Sequence, residues 1–169
     1  MFFSLDANAR WFIDDQTHDL ILRSERALNP QEEITISYGS KSNEELLYLY
    51  GFAFPTNSND RVTLPVTLSP DDALLQEKFQ RIQELQLPPR LTFDYHGRLS
   101  DESNQLVKIL SAQSVDTLDQ DQPYSVPYLL SLLNDYLDAL NKCGTDEKFV
   151  KYYVDSQKCI VHKAVENLK

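Results

Sequence analysis

The chain has 169 residues, 41% hydrophobic and 25% charged, enough for one ordinary domain or for a partial domain and a small one. Its formal net charge of −10, with no basic cluster, disfavours nucleic acid, because backbone phosphates repel such a surface. No apolar run approaches the ~20 residues of a membrane span, and the apolar start at Met1–Leu5 is cut off by Asp6 and Arg10, so it has neither the basic leader nor the length of a secretory signal.

In chain order, the first elements read as strands. Residues 9–13 and 19–24 form two apolar-rich runs around the polar turn Asp14-Asp15-Gln16-Thr17, which predicts a hairpin. A turn follows at Asn29-Pro30. Residues 33–38 then alternate, with Ile34, Ile36 and Tyr38 on one side, and Gly39 ends the strand. Ser42 and Glu45 have the spacing of a capping box, with Asn43 as a competing cap, and predict a short helix. Leu46, Leu47, Leu49 and Tyr50 would be its apolar face, and Gly51 its stop. After the polar linker Asn57-Ser58-Asn59-Asp60, residues 62–68 alternate as a strand, which Pro65 places at an edge or makes irregular.

Helical periods dominate beyond Pro70. Ser69-Pro70-Asp71-Asp72 predicts a helix start, and Leu74, Leu75, Phe79, Ile82 and Leu85 its buried stripe. Leu91-Thr92-Phe93 leads into a turn at His96-Gly97. Residues 101–112 form a second helix. Ser125 and Pro127 open a third, with a wide leucine stripe that makes it central, and Gly144 ends it. A last helix carries Phe149, Tyr153, Ile160, Ala164 and Leu168. The fold class is therefore α+β: short strands first, then a mostly helical unit.

Little generic chemistry is visible. The four glycines, Gly39, Gly51, Gly97 and Gly144, are too far apart for a phosphate loop, and no metal-binding spacing links His18, His96 and His162. Cys143 and Cys159 form no CxxC pair and read as reduced core thiols, which suggests a cytoplasmic or nuclear protein. Most acids, Asp71-Asp72 and those at 119–121 among them, read as caps and solvated surface.

One segment is specific. A strand ends in Tyr38-Gly39, and Lys41-Ser42-Asn43-Glu44-Glu45-Leu46 leads through a short helix to Tyr50-Gly51-Phe52. This resembles the C-terminal motif of SET domains in the Rubisco large-subunit methyltransferase class. Lys151 to Ile160 resembles, more loosely, the Tyr-Arg-x-Gly-Gln-x-x-Ile-Leu pattern of that class's helical substrate-binding domain. The resemblance implies the C-terminal portion of a SET domain at 1–56 and a helical substrate-binding domain at 57–169. It implies methyl transfer from S-adenosylmethionine to a protein acceptor, lysine or histidine, with Tyr38 catalytic and with Tyr50 and Phe52 beside the donor and the acceptor channel. The class's Gly-x-Gly donor loop is absent here, and Phe3-Ser4-Leu5 stands where its Asn-His pair would fall, so this stretch alone is expected to be inactive. A non-catalytic interaction module derived from a SET protein is the alternative reading, and an unrelated helical adaptor a third.

Overall fold

The computed structural model describes residues 2–3, 7–118 and 125–169. The acids Asp119 and Asp121, and Met1, Ser4 and Leu5 of the apolar start, lie outside the described residues. The fold is α+β, in two compact units, Met1–Lys41 and Ser42–Lys169. These units divide the chain at 41/42, whereas the resemblance implies a division at 56/57.

The first unit is a four-stranded sheet in the order β1-β4-β2-β3: β1 (Phe2–Phe3), β2 (Ala9–Ile13), β3 (Leu20–Ser24) and β4 (Thr35–Ile36). The expected hairpin is present, with Trp11 opposite Leu22 and Ile13 opposite Leu20. Asp14 closes its turn, accepting from the N–H groups of Gln16 and Thr17, each at 2.9 Å. Those backbone bonds, Thr17's first, hold the Asp14 carboxyl below its usual range. The strand expected at 33–38 is far shorter: β4 has two residues, and Ile34 faces solvent while Ile36 is buried. Side-chain bonds replace the missing ladder. The Thr35 N–H donates to Asn8 Oδ1 (2.9 Å), the Asn8 N–H to Thr35 Oγ1 (3.1 Å), and Asn8 Nδ2 to the Glu33 carbonyl (2.9 Å).

The second unit begins with α1 (Asn43–Tyr50) and pairs β5 (Val62–Pro65) antiparallel with β6 (Arg90–Phe93). Period-2 alternation sets its inner face: Val62 opposes Phe93, Leu64 opposes Leu91, and all four are buried. Sequence reading treated 91–93 only as a lead into the turn; the cross-strand partner makes it a strand. Helices α2 (Leu75–Glu84), α3 (Asp101–Ser111), α4 (Val126–Lys142) and α5 (Lys148–Asn167) follow. Ser125 caps α4 as expected, and Ser100 caps α3. Leu106, Leu129, Leu133, Ile160 and Val161 join the sheet's inner face in one core. At the turn after β6, Gly97 has φ +75°, and a Cβ there would lie 2.4 Å from the backbone nitrogen of Ala164. Only a glycine lets this turn pack so closely on α5.

Several expectations fail for identifiable reasons. Helix α2 begins at Leu75, not Pro70, because Ser69 and Asp72 tie 69–75 into successive turns; Asp72 Oδ1 accepts from the Leu74 N–H at 2.9 Å. Its buried residue is Lys78, while Phe79 is 53% exposed. Lys78 lays its stem along the core and donates from Nζ to Asp72 Oδ2 (2.7 Å) and the Leu110 carbonyl (3.0 Å). That ammonium holds the Asp72 carboxyl below its usual range. On α1 only Leu46 of the proposed apolar face is buried, and Leu49 and Tyr50 are exposed. Helix α4 stops at Lys142, and its cap is Cys143, not Gly144. Cys143 and Cys159 are exposed, not core thiols, because both fall on the outer faces of their segments. On α5 the inner face includes Ser156 and Gln157, while Phe149 is 40% exposed.

Candidate functional site

The site is built around the N-terminus of α1. Ser42 adopts extended backbone there, and its hydroxyl accepts from the Glu45 N–H at 3.2 Å. Glu45 answers by accepting from the Ser42 N–H at 2.8 Å, which completes the capping box. Arg61 donates to the same Glu45 Oε2 at 2.7 Å and holds that carboxylate over the helix start. The helix ends one residue past Tyr50, where Gly51 turns left-handed (φ +75°) and its N–H reaches the Leu47 carbonyl at 3.0 Å.

Asn43 is not the cap. It sits in the first turn, fully buried, and its amide brackets the chain that leaves the helix. Nδ2 donates to the Phe54 carbonyl (3.0 Å), and Oδ1 accepts from the Phe54 N–H (3.1 Å). One side chain thus satisfies both backbone groups of a residue eleven positions on, in the manner of a strand partner. Asn57 donates a third bond to Asn43 Oδ1 at 3.3 Å. The segment between helix and bracket is Tyr50-Gly51-Phe52-Ala53. Its rings form a connected row: Tyr50 and Phe52 lie 6.4 Å apart, and Phe52 meets Phe54 edge-on at 5.5 Å.

The predicted site residues thus divide. Tyr50 and Phe52 are brought together on one turn, Tyr50 being 43% exposed and Phe52 half-buried. Tyr38 belongs to the first unit, half-buried just beyond β4, whose two residues Asn8 helps to anchor. Beside it Ser37 Oγ accepts from the Gly39 N–H at 3.0 Å, and Gly39 itself takes φ +79°.

Sequence reading missed the support beneath this turn. Asp60, in the linker, is 1% exposed and accepts from the Asn43 N–H at 2.8 Å and the Arg61 N–H at 3.0 Å. The Ser156 hydroxyl and Gln157 Nε2, both on α5, donate to its other oxygen. Gln157 also donates to the Arg61 carbonyl (3.0 Å) and accepts from the Tyr136 hydroxyl (3.1 Å). Burial pushes the Tyr136 and Tyr153 phenols up, so both stay neutral donors. The only signal in the sequence was the looser match over Lys151 to Ile160. Among the described residues no group of three His, Cys, Asp or Glu side chains is arranged to hold a metal.

Comparison with known proteins supplies a context. No family model matches the chain. It is 34% identical over 97 residues to the actin-histidine N-methyltransferase of Canis lupus familiaris, a stretch that covers 57% of this chain and 16% of that protein. The Homo sapiens protein of the same name is 33% identical with the same coverage. SET domain-containing protein 8 of Schizosaccharomyces pombe is 31% identical over 105 residues, 61% of this chain and 23% of that protein. The chain therefore matches under a quarter of the length of each of these relatives. Among solved structures, Rubisco LSMT bound to sinefungin and monomethyllysine shares the fold, with TM-score 0.63 and 15% identity over 98% of this chain and 46% of that one.

Proposed function

Related by sequence and by fold to the SET-domain methyltransferases of the Rubisco large-subunit type, these 169 residues form, we propose, the acceptor side of a protein N-methyltransferase. They would contribute the C-terminal end of the SET domain and the helical domain that docks the protein substrate. The observation that carries the reading is the Tyr50–Phe54 turn. A capping box, a left-handed glycine and a buried asparagine bracket hold the rings of Tyr50 and Phe52 side by side.

The reaction moves a methyl group from a sulfonium donor, S-adenosylmethionine, to a neutral nitrogen. The acceptor side must align that nitrogen, keep it free of its proton and exclude water. Tyr38 is the residue we assign to orienting the acceptor, through a hydroxyl that can accept or donate a hydrogen bond. Tyr50 would wall the channel for the acceptor side chain, and Phe52 would pack toward the donor. The substrate is a protein with a lysine or histidine acceptor, since the names of the similar proteins include a histidine-directed enzyme and a complex with monomethyllysine. The negative charge favours a basic protein surface over nucleic acid, and the reducing cytoplasm or nucleus suits two exposed thiols.

These residues do not fit the whole donor. The row Tyr50–Phe52–Phe54 offers apolar faces, whereas the donor's ribose and amino-acid groups need polar contacts. No Gly-x-Gly stands anywhere in the 169 residues to let backbone approach them. Calorimetry of the chain with S-adenosylmethionine should show no binding at micromolar concentration; a dissociation constant near ~1 μM, about −8 kcal/mol, would contradict this division of labour. In a parent protein that carries a donor-binding segment, Tyr38→Phe should lower kcat far more than it weakens donor binding. Unchanged methyl transfer would return Tyr38 to packing and favour the alternative, a non-catalytic interaction module.

A further inference from the structure

Asp60 is buried with four donors and, among the described residues, no cation. Taking a carboxylate out of water costs several kcal/mol, and an apolar side chain of similar size would fill the space at less cost. What an apolar residue could not do is gather donors from three separate segments at one point. Those segments are the first turn of α1, the linker itself and the middle of α5, 96 residues away. The carboxylate also meets the positive end of α1, because the Asn43 N–H is one of the helix's orphan donors.

The consequence follows from Asn43 serving two functions. Its backbone N–H is held by Asp60, and its side chain holds Phe54. Fixing one end of this residue fixes the other, and with it the short loop that carries Tyr50 and Phe52. We infer that Asp60 is a positioning residue, which locks the aromatic turn of the acceptor side to α5 through Asn43, so that helical domain and acceptor wall move as one piece. This inference rests on the methyltransferase reading for its catalytic consequence, but not for its structural one.

Two readouts keep those apart. The 169-residue chain is labelled with 3-fluorotyrosine, and the Tyr50 fluorine resonance is assigned with Tyr50→Phe. Asp60→Asn keeps the volume but removes one acceptor oxygen and turns an NH2 group toward donors. It should shift or broaden the Tyr50 resonance, and so should Asn43→Ala. Ser156→Ala, which removes one donor and is the milder variant should Asp60→Asn fold poorly, should give a smaller shift in the same direction. Leu106→Ala, a core truncation outside the network, should lower stability and leave Tyr50 unmoved. A Tyr50 resonance unchanged in Asp60→Asn, or moved as much by Leu106→Ala, would overturn the inference.

In a parent protein that transfers methyl groups, Asp60→Asn should lower kcat roughly tenfold or more per folded molecule, with KM for the protein acceptor within about twofold. Leu106→Ala should leave both unchanged. Equal losses from the two would mean that Asp60 acts only through stability. A wild-type parent with no transferase activity would sink the functional reading, and the fluorine result would decide this one alone.

Discussion

The two compact units use apolar residues in opposite ways. In Met1–Lys41 the hairpin carries Trp11 (54% exposed), Ile13, Leu20 (70%) and Leu22 on one face, and Ala9 and Ile36 are the only hydrophobic residues buried among those described. In Ser42–Lys169 the corresponding side chains, from Val62 and Phe93 to Leu129, Leu133 and Ile160, close a continuous core. Local rules suffice to shape both: strands pair, turns close and caps fit in each. Only the second unit has enough residues facing one another to bury what its elements offer, and a small sheet without that is marginal. The motif around Ser42–Phe54 is built into the self-sufficient unit, whereas Tyr38 is not.

A pair of glycines tests the contrast most strongly. Gly39 and Gly97 share nearly the same left-handed backbone, φ +79° and +75°, but an added Cβ meets nothing within 4 Å at Gly39 and a backbone nitrogen at 2.4 Å at Gly97. Gly97→Ala should destabilise the second unit by about 3–4 kcal/mol, strain and overlap together. Gly39→Ala should cost only about 1 kcal/mol of backbone strain. Thermal denaturation of the two variants gives the comparison, and equal losses would mean that the turn at 94–98 is not packed on α5. Leucines give the next largest effect. Leu133→Ala should cost about 3 kcal/mol in a denaturant titration, by lost burial and a cavity. Leu20→Ser should stay within about 0.5 kcal/mol and raise solubility, since it removes an exposed apolar residue from an edge strand. A hairpin variant as damaging as the core variant would erase the distinction.

Ser42→Ala should cost about 1 kcal/mol, the worth of a helix cap, and loosen the first turn of α1. Slower exchange of the Glu45 amide in the variant than in the parent would contradict it. The smallest effect lies in the first unit. The Arg26 guanidinium, and then the Asn29 N–H, bring the Glu32 carboxyl down from 4.5 to about 2. A group whose pKa is lowered on folding contributes fully above its unfolded value, so this support is complete above about pH 4.5 and lost as pH falls through about 2. A carboxyl titration of Glu32 followed by NMR should place the midpoint near 2; a midpoint near 4.5 would mean the pair does not form in solution.

What the sequence revealed was what lies close in the chain. The capping box of Ser42 with Glu45, the cap Ser125, the hairpin turn at Asp14 and the left-handed Gly51 all depend on residues within four or five positions of one another. What it concealed was decided at long range. Lys78 lies buried because Leu110, 32 residues away, offers a carbonyl to its ammonium. Ser156 and Gln157 fall within the looser motif match, but only Asp60, 96 and 97 residues earlier, explains why they point inward. Asn43 looked like a cap because its role is set by Phe54, and the outward placing of Leu49, Phe79 and Cys159 depends on which helix face meets a neighbour. The turn between Tyr50 and Phe52 was legible because Gly51 fixes it locally; the anchoring of β4, next to Tyr38, by Asn8 was not, since 27 residues separate the partners.

Amide hydrogen exchange along the whole chain tests the central contrast most directly, because it reads local stability residue by residue. Residues 129–140 of α4, which face the core, and the Phe54 amide, which Asn43 holds, should both exchange slowly. Residues 34–38, where β4 is two residues long, should exchange fast. Equal, strong protection in both regions would mean that Met1–Lys41 is a complete fold in its own right, and the assignment of these residues to one side of a larger methyltransferase site would have to be replaced.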